Sequence, residues 1–206
     1  MSDSTFFVET PRLFLSYLQP DLDSHCDFLV ALYNSPEFIE SIGGQPTRIV
    51  AREAARNALA NRFRNEHARN GYGTYLISLK AEGTPAQGAK LGDLQKSTPI
   101  GTVGLMKGEK PDCYEAPDIG FAMLPAYMRK GYTKEGALGI LDYLEREKGL
   151  KDVFGFHDPK NEASKAVMRS IGFVYLGERE LKIFGDMPSA VWIKSGMDEN
   201  LSVYGL

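Results

Sequence analysis

Apolar positions along the chain fall into alternating and helix-periodic stretches, in the order strand, two helices, three strands, helix, strand, helix, two strands. Phe6 to Leu18 sets Leu13, Leu15 and Tyr17 against Phe14 and Ser16, which predicts a first strand. Asp21 is placed to cap a helix with Leu22, Cys26, Leu29 and Tyr33 on one face. Pro36 restarts the chain in a short turn or helix. Thr47 precedes a long helix whose inner face is Ala51, Ala54, Ala55, Ala58, Leu59 and Phe63. Its far side is arginine-rich and reads as a solvated face, and Gly71 ends it.

Tyr72 to Lys80, Ile100 to Met106 and Ile119 to Leu124 predict three strands, the last closed by Pro125. Glu82 to Thr98 is polar, with Gly and Pro, and reads as a flexible insertion. Tyr132 to Lys148 predicts a helix with Ala137, Ile140, Leu141 and Leu144 inward and Gly149 as its stop. Val153 to Phe156 predicts a short buried strand. Asn161 opens a helix through Ala163, Val167, Met168 and Ile171 that stops at Gly172. Phe173 to Lys182 and Ala190 to Ser195 complete the set. The order predicts an α/β (α+β) fold with a mixed, mainly antiparallel central sheet and flanking helices. No linker divides it, so residues 1–206 read as one domain.

Composition narrows the functional classes. Apolar residues make up 43% and charged residues 25% of the chain, as in ordinary globular enzymes. The net charge of −3 supplies no basic field for nucleic acid. No apolar run reaches the roughly 20 residues of a membrane span, and Met1 to Thr10 shows no secretory pattern. The only cysteines, Cys26 and Cys113, read as reduced thiols of a cytoplasmic protein. His25, His67 and His157 lie too far apart for metal-ligand spacing, so no metal is expected.

Chemistry concentrates in two segments. The first runs from Asp118 through Ile119, Gly120, Phe121, Ala122, Met123 and Leu124 to a turn of Met128, Arg129, Lys130 and Gly131, then into a helix at Tyr132 and Thr133. The first amides of a helix lack internal partners and carry partial positive charge. A glycine there lets backbone approach a phosphate closely. The junction suits a pyrophosphate, helped by Arg129 and Lys130. It is neither a Walker loop nor a dinucleotide fingerprint, and an ordinary strand–helix turn gives the same pattern. The second segment runs from Val153 through His157 to Asn161 and Ser164, and ends after one helix in Ile171-Gly172-Phe173. Asn161 also suits a plain helix cap. His157 reads as a loop histidine, and Cys113 as a spectator thiol.

Together these segments resemble motifs A and B of the GNAT superfamily of N-acyltransferases. The opening Glu9-Thr10-Pro11-Arg12-Leu13 is similar to the start of the branch that holds the ribosomal-protein N-terminal acetyltransferases. The resemblance runs from Thr10 to about Ser195. Two positions differ from the usual motif A turn: Met128 stands for a polar residue and Thr133 for Gly or Ala. The resemblance implies that the strands Ile119–Leu124 and Val153–His157 splay after a bulge in the fourth predicted strand, and that the arm of acetyl-CoA enters the gap. It implies that residues 119–124, 128–133, Asn161 and Ser164 hold acetyl-CoA, and that a backbone N–H near Phe121 to Met123 serves the thioester oxygen. An acetyl group then passes directly to a primary amine, of a small molecule or a protein N-terminus, in a ternary complex. The base is Asp118, Glu115 or a water. A tyrosine commonly assists the leaving thiolate from the position held here by Met168, so Ser164 takes that role. The resemblance also allows a homodimer. A non-catalytic acyl-CoA sensor on the same fold is the alternative reading.

Overall fold

The computed structural model describes residues 3–109, 111 and 113–206. Met1 and Ser2, the start of the segment read for a secretory pattern, lie outside them. Strands β1 (Phe7–Glu9), β2 (Leu13–Tyr17), β3 (Thr74–Leu79), β4 (Thr98–Met106), β5 (Asp118–Met123), β6 (Phe154–His157), β7 (Val174–Leu181) and β8 (Met187–Ile193) form one sheet in the order β1-β2-β3-β4-β5-β6-β8-β7. Every neighbouring pair is antiparallel except β5 and β6. A crossover through helix α6 (Tyr132–Lys148) joins that parallel pair.

Helix α6 covers one face. Its Ala137, Ile140, Leu141 and Leu144 are buried against Leu15, Ile77, Val103 and Leu105 of the sheet. Each of the isoleucine and leucine side chains contributes about 1.5–3 kcal/mol. Gly149 at φ 65° ends the helix, and the Leu150 N–H closes back on the Leu144 carbonyl at 3.2 Å. Helix α1 (Asp23–Tyr33) covers the other face, packing Phe28 and Leu32 on Leu76. Outside it lie α2 (Pro36–Ser41), α3 (Arg52–Ala58), a π-helical turn (Leu59–Phe63) and α4 (Arg64–Asn70). Gly71 in the left-handed region stops α4.

Five expectations need correction. The first predicted strand is a hairpin, β1 and β2, because Pro11 has no N–H for the ladder and Thr10 Oγ1 accepts the Leu13 N–H at 3.1 Å to make a corner. Asp21 does not cap α1: Leu22 is the cap residue and offers no side-chain acceptor. The insertion holds a helix, α5 (Leu91–Gln95), and is tied down. Glu9 accepts from Lys80 Nζ at 2.8 Å and from the Gly88 and Ala89 amides at 2.8 and 3.1 Å. The arginine face of the long helix is partly engaged, since Arg52 and Arg56 pair with Asp23 and Asp27 of α1. Finally, β5 keeps unbroken register with β4 from Gly101↔Met123 to Met106↔Asp118, and the register shift falls instead between Ile77 and Ser78 of β3.

Candidate active site

The fold makes a gap at its one parallel pair. Strands β5 and β6 share a single register pair, Asp118↔Phe154, with the Phe154 N–H on the Pro117 carbonyl at 2.8 Å. From there β6 follows β8, pairing Gly155 with Trp192 and His157 with Ala190. The β6-facing backbone edge of Ile119, Gly120, Phe121, Ala122 and Met123 has no strand partner among the described residues. An extended ligand with amide groups can pair with that edge as a strand would. On its opposite edge β5 stays paired with β4, and the Leu124 N–H continues that ladder to the Ile100 carbonyl at 2.8 Å.

Beyond Leu124, a turn of 3₁₀ helix (Pro125–Tyr127) leads to the start of α6. Arg129 and Gly131 both have positive φ, 60° and 78°, so the backbone between Met128 and Tyr132 curls into a concavity. Gly131 is the cap residue of α6, and no side chain caps the helix. The opening amides, from Tyr132 and Thr133, are therefore available to an anion. Met128 packs against the main core instead of facing the turn. Lys130 Nζ lies 5.5 Å from the centre of the Tyr127 ring, and Arg129 is exposed.

The turn is braced by Thr10, Arg12 and Glu135, none of them among the candidate site residues. Glu135 accepts from Arg12 Nε at 2.6 Å, from the Arg12 N–H at 2.7 Å and from Thr10 Oγ1 at 2.7 Å. Arg12 also donates to the Lys130 carbonyl at 3.1 Å and stacks over Tyr132, 4.6 Å from the ring centre. The opening motif Thr10-Pro11-Arg12 thus holds the turn and the first coil of α6 together. The motif was visible in the sequence, but its partner was not.

On the other wall, Asn161 Oδ1 accepts the Ser164 N–H at 2.9 Å and caps α7 (Glu162–Ser170). Ser164 Oγ has no hydrogen-bond partner among the described residues. Met168, one turn on and on the same face, is buried against β6. A Cβ on Gly155 would stand 2.6 Å from its sulfur, so a side chain there would make the Met168 thioether move. Met168 is therefore a core residue, and Ser164 is the polar side chain that this face offers nearer the helix start.

Asp118 stands where the gap begins. Along β5, Ile119 and Met123 face the main core, so Asp118, Gly120 and Ala122 face the α1 side. Burial pushes the Asp118 carboxyl up to about 7, and the negative charge of Glu66 on α4 adds to the effect. Glu66 is itself raised, chiefly by burial, and forms no ion pair among the described residues. The Tyr72 phenol is pushed up by burial first and by the charge of Glu66, with Arg69 opposing and Asp118 adding to it. Glu66 was hidden in the sequence, inside a face that reads as solvated. Glu115, the alternative base, is exposed and stands 4.0 Å from Lys107 Nζ. His157 is no loop residue: it ends β6, accepts from Trp192 Nε1 at 2.9 Å and holds its Nδ1 2.7 Å from the Asp158 carbonyl. Both ring nitrogens are engaged, with the proton on Nδ1.

The profile of the acetyltransferase (GNAT) domain family matches residues 12–174. The chain belongs to the GNAT acetyltransferase family. Among curated proteins, it is 37% identical over 59 residues to the FsC-acetyl coenzyme A-N(2)-transacetylase of Aspergillus fumigatus, covering 29% of this chain and 25% of that one. It is 38% identical over 55 residues to an N-acetyltransferase, YnaD, of Bacillus subtilis, covering 27% of this chain and 32% of that one. The matches thus span only a quarter to a third of these relatives. Among solved structures, a RimL ribosomal L7/L12 α-N-protein acetyltransferase in complex with coenzyme A superposes with a TM-score of 0.66 at 18% identity, over 92% of this chain and 97% of that one. At that identity the likeness is one of fold.

Proposed function

We propose that this protein is an N-acetyltransferase that moves an acetyl group from acetyl-CoA directly to a primary amine, with residues 1–206 acting as one domain of a cytoplasmic enzyme. The observation that carries the reading is the pairing of an unpartnered β5 edge with an uncapped α6 start on the same crossover. The residues present fit the co-substrate. The amides of Tyr132 and Thr133 and the curled Arg129–Gly131 backbone would take the pyrophosphate. The β5 edge from Ile119 to Met123 would take the amide-bearing arm. At about 3.3 Å per residue this edge leads from the turn back towards Asp118, which puts the thioester at the closed end of the gap.

The chain's own groups then divide the work. Asp118, with a proton affinity near neutrality, takes a proton from the incoming ammonium, directly or through water, and leaves a neutral nucleophile. A backbone N–H between Phe121 and Met123 stabilises the charge that develops on the thioester oxygen. Ser164 Oγ, with no hydrogen-bond partner among the described residues, donates to the departing sulfur. No covalent enzyme intermediate is needed, because the site brings amine and thioester together. Amine-dependent release of thiol from acetyl-CoA tests the reading. A sensor on the same fold would bind acetyl-CoA and release no thiol when amines are added.

A further inference from the structure

Beside Asp118 the molecule opens a cleft of about 400 Å³, within the range of small-molecule sites. Its walls include Met106, Lys107, Tyr114, Lys182 and Ile183, and Asp118 is the only carboxylate among its described lining residues. A basic wall is unexpected on a chain of net charge −3. The two lysines are not equivalent. Lys107 Nζ is engaged by the Glu115 carbonyl and stands 4.0 Å from its carboxylate. Lys182 has no ion-pair or hydrogen-bond partner for its ammonium among the described residues, and Asp186 in the same turn makes no ion pair with it.

The position of Lys182 is fixed although its side chain is exposed. It begins a 3₁₀ turn (Lys182–Phe184) after the buried Leu181. The Gly185 N–H closes on the Lys182 carbonyl at 3.0 Å and the Asp186 N–H on the Leu181 carbonyl at 3.1 Å. The Tyr114 hydroxyl lies against the Lys182 backbone from across the cleft. One cleft therefore presents the Asp118 carboxylate and, on its wall, an ammonium with no ion-pair partner among the described residues.

Resting on the transferase reading above, we propose that the acceptor is an amine carrying a carboxylate close to the reacting nitrogen, with Lys182 as the residue that selects it. The amine goes to Asp118 and the carboxylate to Lys182. A second ammonium on the acceptor would meet Lys182 and be repelled, so polyamines are disfavoured by the same charge. Two sources supply this chemistry, free α-amino acids and peptide ends with an acidic residue beside the N-terminal amine.

Thiol release tests the proposal with matched acceptors: an α-amino acid, its decarboxylated amine, a dipeptide with an acidic second residue, and a diamine. The wild-type protein should use the better carboxylate-bearing acceptor at least about tenfold more efficiently than the decarboxylated amine and the diamine, and which of the two leads identifies the source. Lys182→Glu should raise KM for that acceptor, reverse the ranking in favour of the diamine and leave KM for acetyl-CoA unchanged. Lys96→Glu makes the same charge change beyond the far end of β4 and should keep the wild-type ranking. Equal or better use of the decarboxylated amine by the wild type, or an unchanged ranking in Lys182→Glu, overturns the proposal while leaving the transferase reading intact. Silence with every acceptor overturns both.

Discussion

At the scale of single residues, the site depends on groups whose surroundings leave them unsatisfied. Asp118 has its carboxyl raised to about 7 by burial, so ionising it costs the folded state. Below an ordinary aspartate value near 3.8 the carboxyl is protonated in both states and costs nothing. As pH rises towards 7 the unfolded chain gives up this proton while the folded one keeps it, and stability falls. Asp118→Asn should therefore melt higher than wild type at pH 8 and about equally at pH 4. The same variant should lose about 10²–10⁴-fold in turnover near neutral pH, and recover part of it at high pH, where the amine deprotonates unaided. Melts and pH–rate profiles check both halves, and a variant with the wild-type profile would move the base role elsewhere. Ser164→Ala should cut turnover about ten- to a hundredfold with acetyl-CoA affinity little changed, because the hydroxyl acts mainly as the sulfur leaves. The Asn161 cap bonds the Ser164 amide, not its hydroxyl, so this substitution leaves the cap in place. A lower melting temperature with intact turnover would make Ser164 structural.

At the scale of elements, the start of α6 is the decisive piece. Gly131 has φ 78°, and a Cβ there would stand 3.4 Å from Arg12 Nη2. Gly131→Val should strain the turn, disturb the Arg12 brace and weaken acetyl-CoA binding by about tenfold or more while leaving the sheet folded, as calorimetry and circular dichroism would show. Unchanged affinity would place the pyrophosphate elsewhere. This element was also the most legible in the sequence. Tyr132–Lys148 was predicted to the residue, since Gly131 and Gly149 mark its two ends locally. The hairpin corner at Thr10-Pro11 was lost in a continuous alternation. The insertion read as loose because its tether, Glu9, lies some 80 positions away in the chain. The Arg12–Glu135 brace spans 123 positions, and the charge of Glu66 reaches Asp118 only in the folded chain. Motif spacing thus gave the wall proposed to bind the co-substrate. The wall proposed to face the acceptor comes from long-range packing, which no local pattern records.

At the scale of the whole molecule, eight strands in one sheet part at a single place, and every proposed function collects there. One face carries α6, and with it the proposed co-substrate turn. The other carries α1, with Asp118 and the basic cleft on the side proposed to receive the acceptor. On the proposed reading, amine and thioester approach from opposite faces of the sheet and meet at the parting of β5 and β6, as direct transfer in a ternary complex needs. Acetyl-CoA should also stabilise the protein, by about 2.7 kcal/mol at a hundred times its dissociation constant, but a sensor would show the same shift. The decisive measurement follows both products at once, the free thiol and the acetylated amine, in a mixture of the protein, acetyl-CoA and a carboxylate-bearing amine. Direct transfer predicts that thiol and acetyl-amine appear together in equal amounts, and only when the amine is present. A raised melting temperature in acetyl-CoA with no amine-dependent thiol release and no acetylated amine would contradict it.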